Sequence, residues 1–187
     1  CRPVAIIGWY GTETLGDASI LGEILFCLQE QGFADSEIAV YGSAAKRTAL
    51  TLAELARPRV ESCELVDLLG SPTDMPSLLI FGGGPLCDGR AMTELARLLA
   101  KPASAGCRVF LWGVGVGPLH EPRYRQAIAA ILRRADKIAF RDDASRRLAE
   151  TLAPEIRQAA LAVLPDPAAG YLRRFMSARR TSEPPYC

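Results

Sequence analysis

Residues 6–21 read IIGWYGTETLGDASIL. An apolar run ends at Gly8, two aromatics and Gly11 form a turn, and Gly16-Asp17 opens a segment whose apolar residues recur at helical spacing. Ile20, Leu21, Ile24, Leu25 and Leu28 fall on one stripe, and Gly32 is a natural stop. The order is strand, glycine turn, amphipathic helix. Because the strand is apolar throughout rather than alternating, it belongs in a parallel sheet covered on both faces.

The same order repeats along the chain. Strands are predicted at 4–8, 37–42, 77–84, 108–115, 137–143 and 160–166, with a weaker one within 60–65. Helices are predicted at 17–31, 44–56, 91–99 and 123–134, and another runs to 152 capped by Asp142 or Asp143. This pattern predicts a Rossmann-like, doubly wound, mainly parallel α/β sheet over residues 1–168. Residues 169–187 change character, with four arginines, a Pro-Pro pair and no strand pattern. They read as a basic linker or C-terminal arm, in which Leu172, Phe175 and Met176 can form a short amphipathic helix. Any membrane contact of this arm would be peripheral.

Composition removes several function classes. The 187 residues are 49% hydrophobic and 23% charged, with net charge +1. That is an ordinary globular make-up for one domain, without the basic field that nucleic acid demands. No apolar run reaches membrane-spanning length, and no signal segment opens the chain. With Cys1 in place of Met, the sequence is expected to be a trimmed or partial product. The six cysteines (Cys1, Cys27, Cys63, Cys87, Cys107 and Cys187) show no CxxC spacing, and His120 is the only histidine. No metal site or cofactor is expected, and buried free thiols point to a reducing cytoplasm.

In doubly wound sheets ligands gather beyond the carboxyl ends of the strands, and the unusual residues here all follow strands. Gly11 and Gly16 suit positive φ or close backbone approach. Asp17 stands where a helix N-cap belongs, and Trp9 and Tyr10 offer flat faces to a sugar; capping and packing alone account for them equally well. Gly82, Gly83 and Gly84 form a run of backbone amides suited to phosphate or carboxylate, against the simpler reading of a tight turn. The loop 112–119, WGVGVGPL, places Gly115 beside the crevice, but Pro118 spoils a dinucleotide fingerprint. Arg141 can aim a guanidinium fork into the crevice; its competing role is an ion pair with Asp142, Asp143 or Asp166. His120 reads as a surface loop residue.

In order, these motifs resemble the polysaccharide pyruvyl transferase family. The glycine-aromatic-glycine turn is Gly8, Trp9, Tyr10 and Gly11, leading to Gly16-Asp17. The triple glycine is Gly82–Gly84, followed by Leu86 and Asp88. The loop Gly113–Leu119, the element Arg141, Asp142 and Ser145, and the closing Asp166, Pro167 and Ala168 complete the set. Thr14 stands where the family usually carries Asn.

The resemblance implies one lobe of a two-lobed, GT-B-like transferase that moves an enolpyruvyl skeleton from phosphoenolpyruvate onto a sugar diol. It implies substrate binding by Gly11, Gly16, Asp17, Gly82, Gly83, Gly84, Asp88, Gly115 and Arg141. Asp17 or Asp88 would meet sugar hydroxyls. The resemblance implies that the family's catalytic histidine and much of its phosphoenolpyruvate pocket belong to a second lobe, which a longer parent chain or a partner subunit would supply, so no catalytic residue is assigned here. A non-catalytic sugar- or anion-binding module and a lobe of a nucleotide-sugar glycosyltransferase are the competing functions.

Overall fold

The computed structural model describes residues 2–12, 14–70, 75–101, 104, 106–158 and 160–182. Expectations that rest on Cys1, Cys187 and the Pro-Pro pair lie outside the described residues. Eight strands form one sheet in the order β3-β2-β1-β4-β6-β7-β8, with the two-residue β5 (Pro85–Leu86) beside β6. The path runs through β1 (Val4–Ile7), β2 (Ile38–Gly42), β3 (Glu61–Glu64), β4 (Leu78–Gly82), β6 (Arg108–Val116), β7 (Lys137–Phe140) and β8 (Ala160–Val163). Every pairing is parallel. Chain order reverses at β1, which lies between β2 and β4. The fold is Rossmann-like and doubly wound, as the apolar runs predict.

Alternate residues of each strand face opposite layers. On one face Ala5, Ile7, Leu79, Phe81, Leu111 and Ile138 pack under α3 (Leu65–Gly70), α4 (Arg90–Leu99), α5 (Pro122–Arg134) and α6 (Asp143–Leu152). On the other, Val4, Ile6, Ile38, Val40 and Ile80 meet the apolar stripe of α1 (Leu15–Glu30) and Leu52 of α2 (Ala45–Glu54). β1 and β2 are buried along their whole length, which is why they carry no alternation. No described helix is long and apolar enough to cross a membrane.

The predicted elements fall within a few residues of those observed. The six-residue α3 and the tiny β5 were not expected. The larger difference is α7 (Pro167–Ser182), a 16-residue helix in the segment expected as a linker or arm. It lies on α1. The Tyr171 ring sits 2.5 Å from where a Cβ on Gly22 would be, so alanine does not fit there without a shift. Arg174 Nε donates to both carboxylate oxygens of Glu23, at 3.1 and 3.3 Å, with its guanidinium 4.0 Å from the Phe26 ring centre. At its start, Pro167 fills the space a side chain on Gly113 would need. α7 thus ties α1 to the end of β6.

Candidate functional site

The four decorated strand ends follow β1, β4, β6 and β7, and these strands are consecutive neighbours in the sheet. The sequence-predicted residues therefore share one carboxyl edge. At about 4.8 Å between strands the row is roughly 14 Å long, long enough for a substrate carrying a charged group at one end and hydroxyls at the other.

At the β1–β4 end the two glycine turns interlock. Tyr10 is buried to 1% exposure, and its hydroxyl donates to the Gly82 carbonyl at 2.8 Å. Burial also pushes its phenol pKa far up. The Trp9 amide donates to Gly83 O at 3.1 Å. A Cβ on Gly83 would lie 2.9 Å from the Tyr10 ring, and one on Gly84 (φ +119°) would lie 2.6 Å from the Trp9 indole nitrogen. Two sequence readings are corrected by this packing. Tyr10 offers no face to a sugar, and the third glycine makes room for Trp9 rather than pointing by itself to a ligand. Trp9 keeps 37% exposure.

The start of α1 differs from expectation as well. The helix begins at Leu15 with Thr14 as N-cap, so Asp17 is not the cap. It stands in the first turn, where a carboxylate favours the helix dipole. The Thr14 hydroxyl donates to its Oδ2, and the Thr12 hydroxyl reaches the same oxygen at 3.4 Å. Gly11 meets its expectation: φ is +82°, and a Cβ would sit 2.8 Å from the Ala44 carbonyl. Gly16 does not, because its φ is not positive and nothing lies within 4 Å of its Cβ position. An open cleft of about 370 Å3 borders this loop; Gly11, Thr12, Thr14, Asp17, Arg47 and Thr51 line it.

Since nothing in the fold requires a glycine at position 16, Gly16→Ala is expected to keep or raise stability, by up to about 1 kcal/mol from helix propensity. Urea unfolding reads that change. A fall in activity with intact stability would place a ligand against the bare helix start.

Asp88 clasps a loop. Its Oδ2 accepts from the amides of His120 at 2.8 Å and Glu121 at 3.3 Å, while Oδ1 is buried without a partner among the described residues. The carboxylate thus fixes the loop 117–121 against the start of α4 and holds one acceptor in reserve. The His120 side chain is exposed in that loop, as predicted.

At the β6–β7 end, Arg141 follows β7 and its amide donates to Val114 O at 3.2 Å. Its guanidinium carbon lies 2.8 Å from the Cβ position of Gly115. Any side chain at 115 would push the guanidinium off this shelf. The expected ion pair is weak: Arg141 Nε reaches Asp142 Oδ2 at 3.4 Å, with both side chains nearly half exposed (43 and 45%). Asp142 has a second task. Its Oδ1 caps α6 by accepting from the Ser145 amide at 2.7 Å, and that bond holds its carboxyl below the ordinary range. The Ser145 hydroxyl in turn accepts from the Val116 amide at 3.0 Å, joining α6 to the Gly115 strand end. Among the described residues Asp142 is the one acceptor that the Arg141 side chain reaches, which leaves donors of the fork unused.

The four described cysteines are all free; burial, aided by nearby carboxylates, raises the Cys27 and Cys87 thiols, so neither is a primed nucleophile. Among the described residues no three His, Cys, Asp or Glu side chains gather to hold a metal. Sequence reasoning missed Thr12 and Arg47 of the cleft. Arg47 lies on α2, beyond the strand-end loops that drew attention.

No curated protein matches the sequence. Among solved structures the chain is similar to a pyrroline-5-carboxylate reductase from Coxiella burnetii, with 14% identity and a TM-score of 0.43 over 97% of this chain and 70% of that one. A likeness that faint carries no argument about function. The family model described as polysaccharide pyruvyl transferase matches residues 16–182. That span includes the triglycine turn, the Gly115 shelf, Arg141 and all of α7, and leaves β1 and the turn after it ahead of the match. The chain belongs to the polysaccharide pyruvyl transferase family.

Proposed function

We propose that this chain is the acceptor-side lobe of an enzyme that joins the pyruvyl skeleton of phosphoenolpyruvate to two hydroxyls of one sugar, in the synthesis of a polysaccharide or cell-envelope glycan. The methylene carbon of the donor takes a proton, which makes the adjacent carbon oxocarbenium-like. One sugar hydroxyl adds there, phosphate leaves, and the second hydroxyl closes the ketal. Of the two hydroxyl protons, one balances the proton taken by the methylene and the other leaves with base or phosphate. Such a reaction needs a cation for the departing anion, an acceptor for hydroxyl protons and a general acid.

Arg141 carries the reading. Its guanidinium lies on the Gly115 shelf, half exposed, and among the described residues its one ion pair is the long contact to Asp142. Hydroxyl recognition falls to Asp17 in the cleft and to the unpartnered Oδ1 of Asp88. The general acid is assigned to a second lobe, in the parent chain or in a partner subunit.

The test incubates the native gene product with phosphoenolpyruvate and a methyl hexopyranoside bearing free 4- and 6-hydroxyls. Equimolar phosphate release and a ketal methyl signal by NMR are the expected result. Phosphate release without the ketal, or no reaction with any diol, rejects the transferase reading. A second reading is favoured by the exposed, loop-bound position of the single histidine, which leaves this lobe without an evident acid. It is a sugar- or anion-binding module, in which ligand raises the melting temperature and no ketal appears.

A further inference from the structure

Parallel sheets are stable when both faces are covered, and one strip of this sheet is bare. On the face that carries α1, the outward residues of β1 and β2 are buried. The outward residues of β6, β7 and β8 on that face are not: Phe110, Trp112 and Ala139 are half-buried, and Leu164 just past β8 is 43% exposed. Among the described residues no helix lies over them. A concavity of about 190 Å3 runs across these strands, and one of about 700 Å3 runs along the flank of α1; Phe110 and Trp112 line both. The two form one apolar trough. Three strands at about 4.8 Å spacing make its floor over β6–β8 roughly 10–14 Å wide, the diameter of a single α-helix. Ala139 and Ala162 keep that floor low.

The charge around the trough selects the helix. Arg108 and Lys137 are exposed at its amino-terminal edge, the Arg108 guanidinium 5.3 Å from the Phe110 ring centre. Neither has a carboxylate partner among the described residues. Two acids stand near: Glu30 on the flank, 3.6 Å from Arg174, and Asp136 at the edge, which accepts from the Val109 amide at 2.8 Å and lies 3.5 Å from Arg134. A second copy of this chain would bring the outer side of α7, where Leu172 and Met176 are exposed. That side also carries Arg173, so it would set like charge against Arg108 and Lys137.

We propose that the trough seats an amphipathic helix from a partner polypeptide, apolar toward Trp112 and Ala139 and carrying Asp or Glu where it passes Arg108 and Lys137. The partner completes the second layer on this side of the sheet, away from the strand ends that carry Arg141.

The probe is a fluorescent helical peptide of about 18 residues, long enough to span the strands, with leucines at i, i+3, i+4 and i+7 and glutamates flanking one end. A control peptide carries lysines instead. We expect the glutamate peptide to bind the purified chain with micromolar affinity by anisotropy, at least about tenfold more tightly than the lysine peptide. Arg108→Glu with Lys137→Glu should reverse that preference. Leu164→Asp, at an exposed position that leaves folding intact, should weaken both peptides. Ala139→Arg should abolish binding, and if it fails to fold, the Leu164 variant still decides. Equal binding of the two peptides, or none, overturns the proposal. So does sedimentation of the chain alone as a dimer that Leu164→Asp dissolves, because a second copy would then fill the trough.

Discussion

Gly8→Ala is expected to cost the lobe about 3–5 kcal/mol, enough to leave much of it unfolded. The new Cβ would overlap the Gly82 carbonyl and lie 2.6 Å from the Tyr10 ring. Neither neighbour can yield. The carbonyl belongs to the end of β4, and the ring is pinned by its own hydrogen bond to the same oxygen. A milder variant separates the contributions. Tyr10→Phe keeps the ring and removes only the hydroxyl, leaving Gly82 O short of one donor, at a cost of about 1 kcal/mol. Urea unfolding followed by circular dichroism measures both. If Gly8→Ala unfolds at the wild-type midpoint, the β1 and β4 turns are not the interlocked unit described here.

The second large effect concerns activity. Arg141→Ala is expected to lower turnover of the full enzyme by about 100- to 1000-fold, the usual consequence of removing a group that meets developing negative charge. Its melting temperature should stay nearly unchanged, because the side chain is half exposed and, among the described residues, makes one long ion pair, with Asp142. Gly115→Ala should act in the same direction while leaving the arginine in place. Its Cβ would collide with the guanidinium, the end of a flexible side chain, which can swing aside at little cost in stability. Steady-state kinetics beside a thermal melt check the pair. A large drop in melting temperature for Arg141→Ala would make the residue structural.

How far the sequence spoke depended on how local the signal was. The apolar runs at β1, β2 and β4 revealed both strand position and cover on both faces, since a strand buried on both faces has no polar residues to alternate. β6 reads equally apolar, yet Phe110 and Trp112 on one of its faces are only half-buried, which corrects the expectation of a sheet covered on both faces throughout. The glycine-rich strand ends were legible for the same reason. Their partners were not. Trp9 and Tyr10 resembled ligand platforms because the turn they fill lies more than 70 residues later, and no spacing rule connects the two. Gly16-Asp17 resembled a capping pair, yet the helix starts two residues earlier, at Leu15.

α7 was expected only as a short amphipathic helix of Leu172, Phe175 and Met176 within a linker or arm, because four arginines interrupt its apolar residues and its contact with α1 runs through Tyr171 and Arg174. Its trace is elsewhere in the sequence. Gly22 stands in the middle of α1, where glycine costs about 1 kcal/mol relative to alanine, and it is there to admit Tyr171. The buried Glu23 beside it needs a cation from outside α1, which Arg174 provides. A glycine and a carboxylate side by side within a helical stripe were the readable sign of a second helix.

The most direct measurement is a titration of the folded chain with phosphoenolpyruvate, following the phosphorus line by NMR, on the wild type, Arg141→Ala and Gly115→Ala. Saturable binding to the wild type, lost in the first variant and weakened in the second while all three stay folded, is the predicted result. Equal binding to all three would contradict the assignment of the anion to the Arg141–Gly115 shelf.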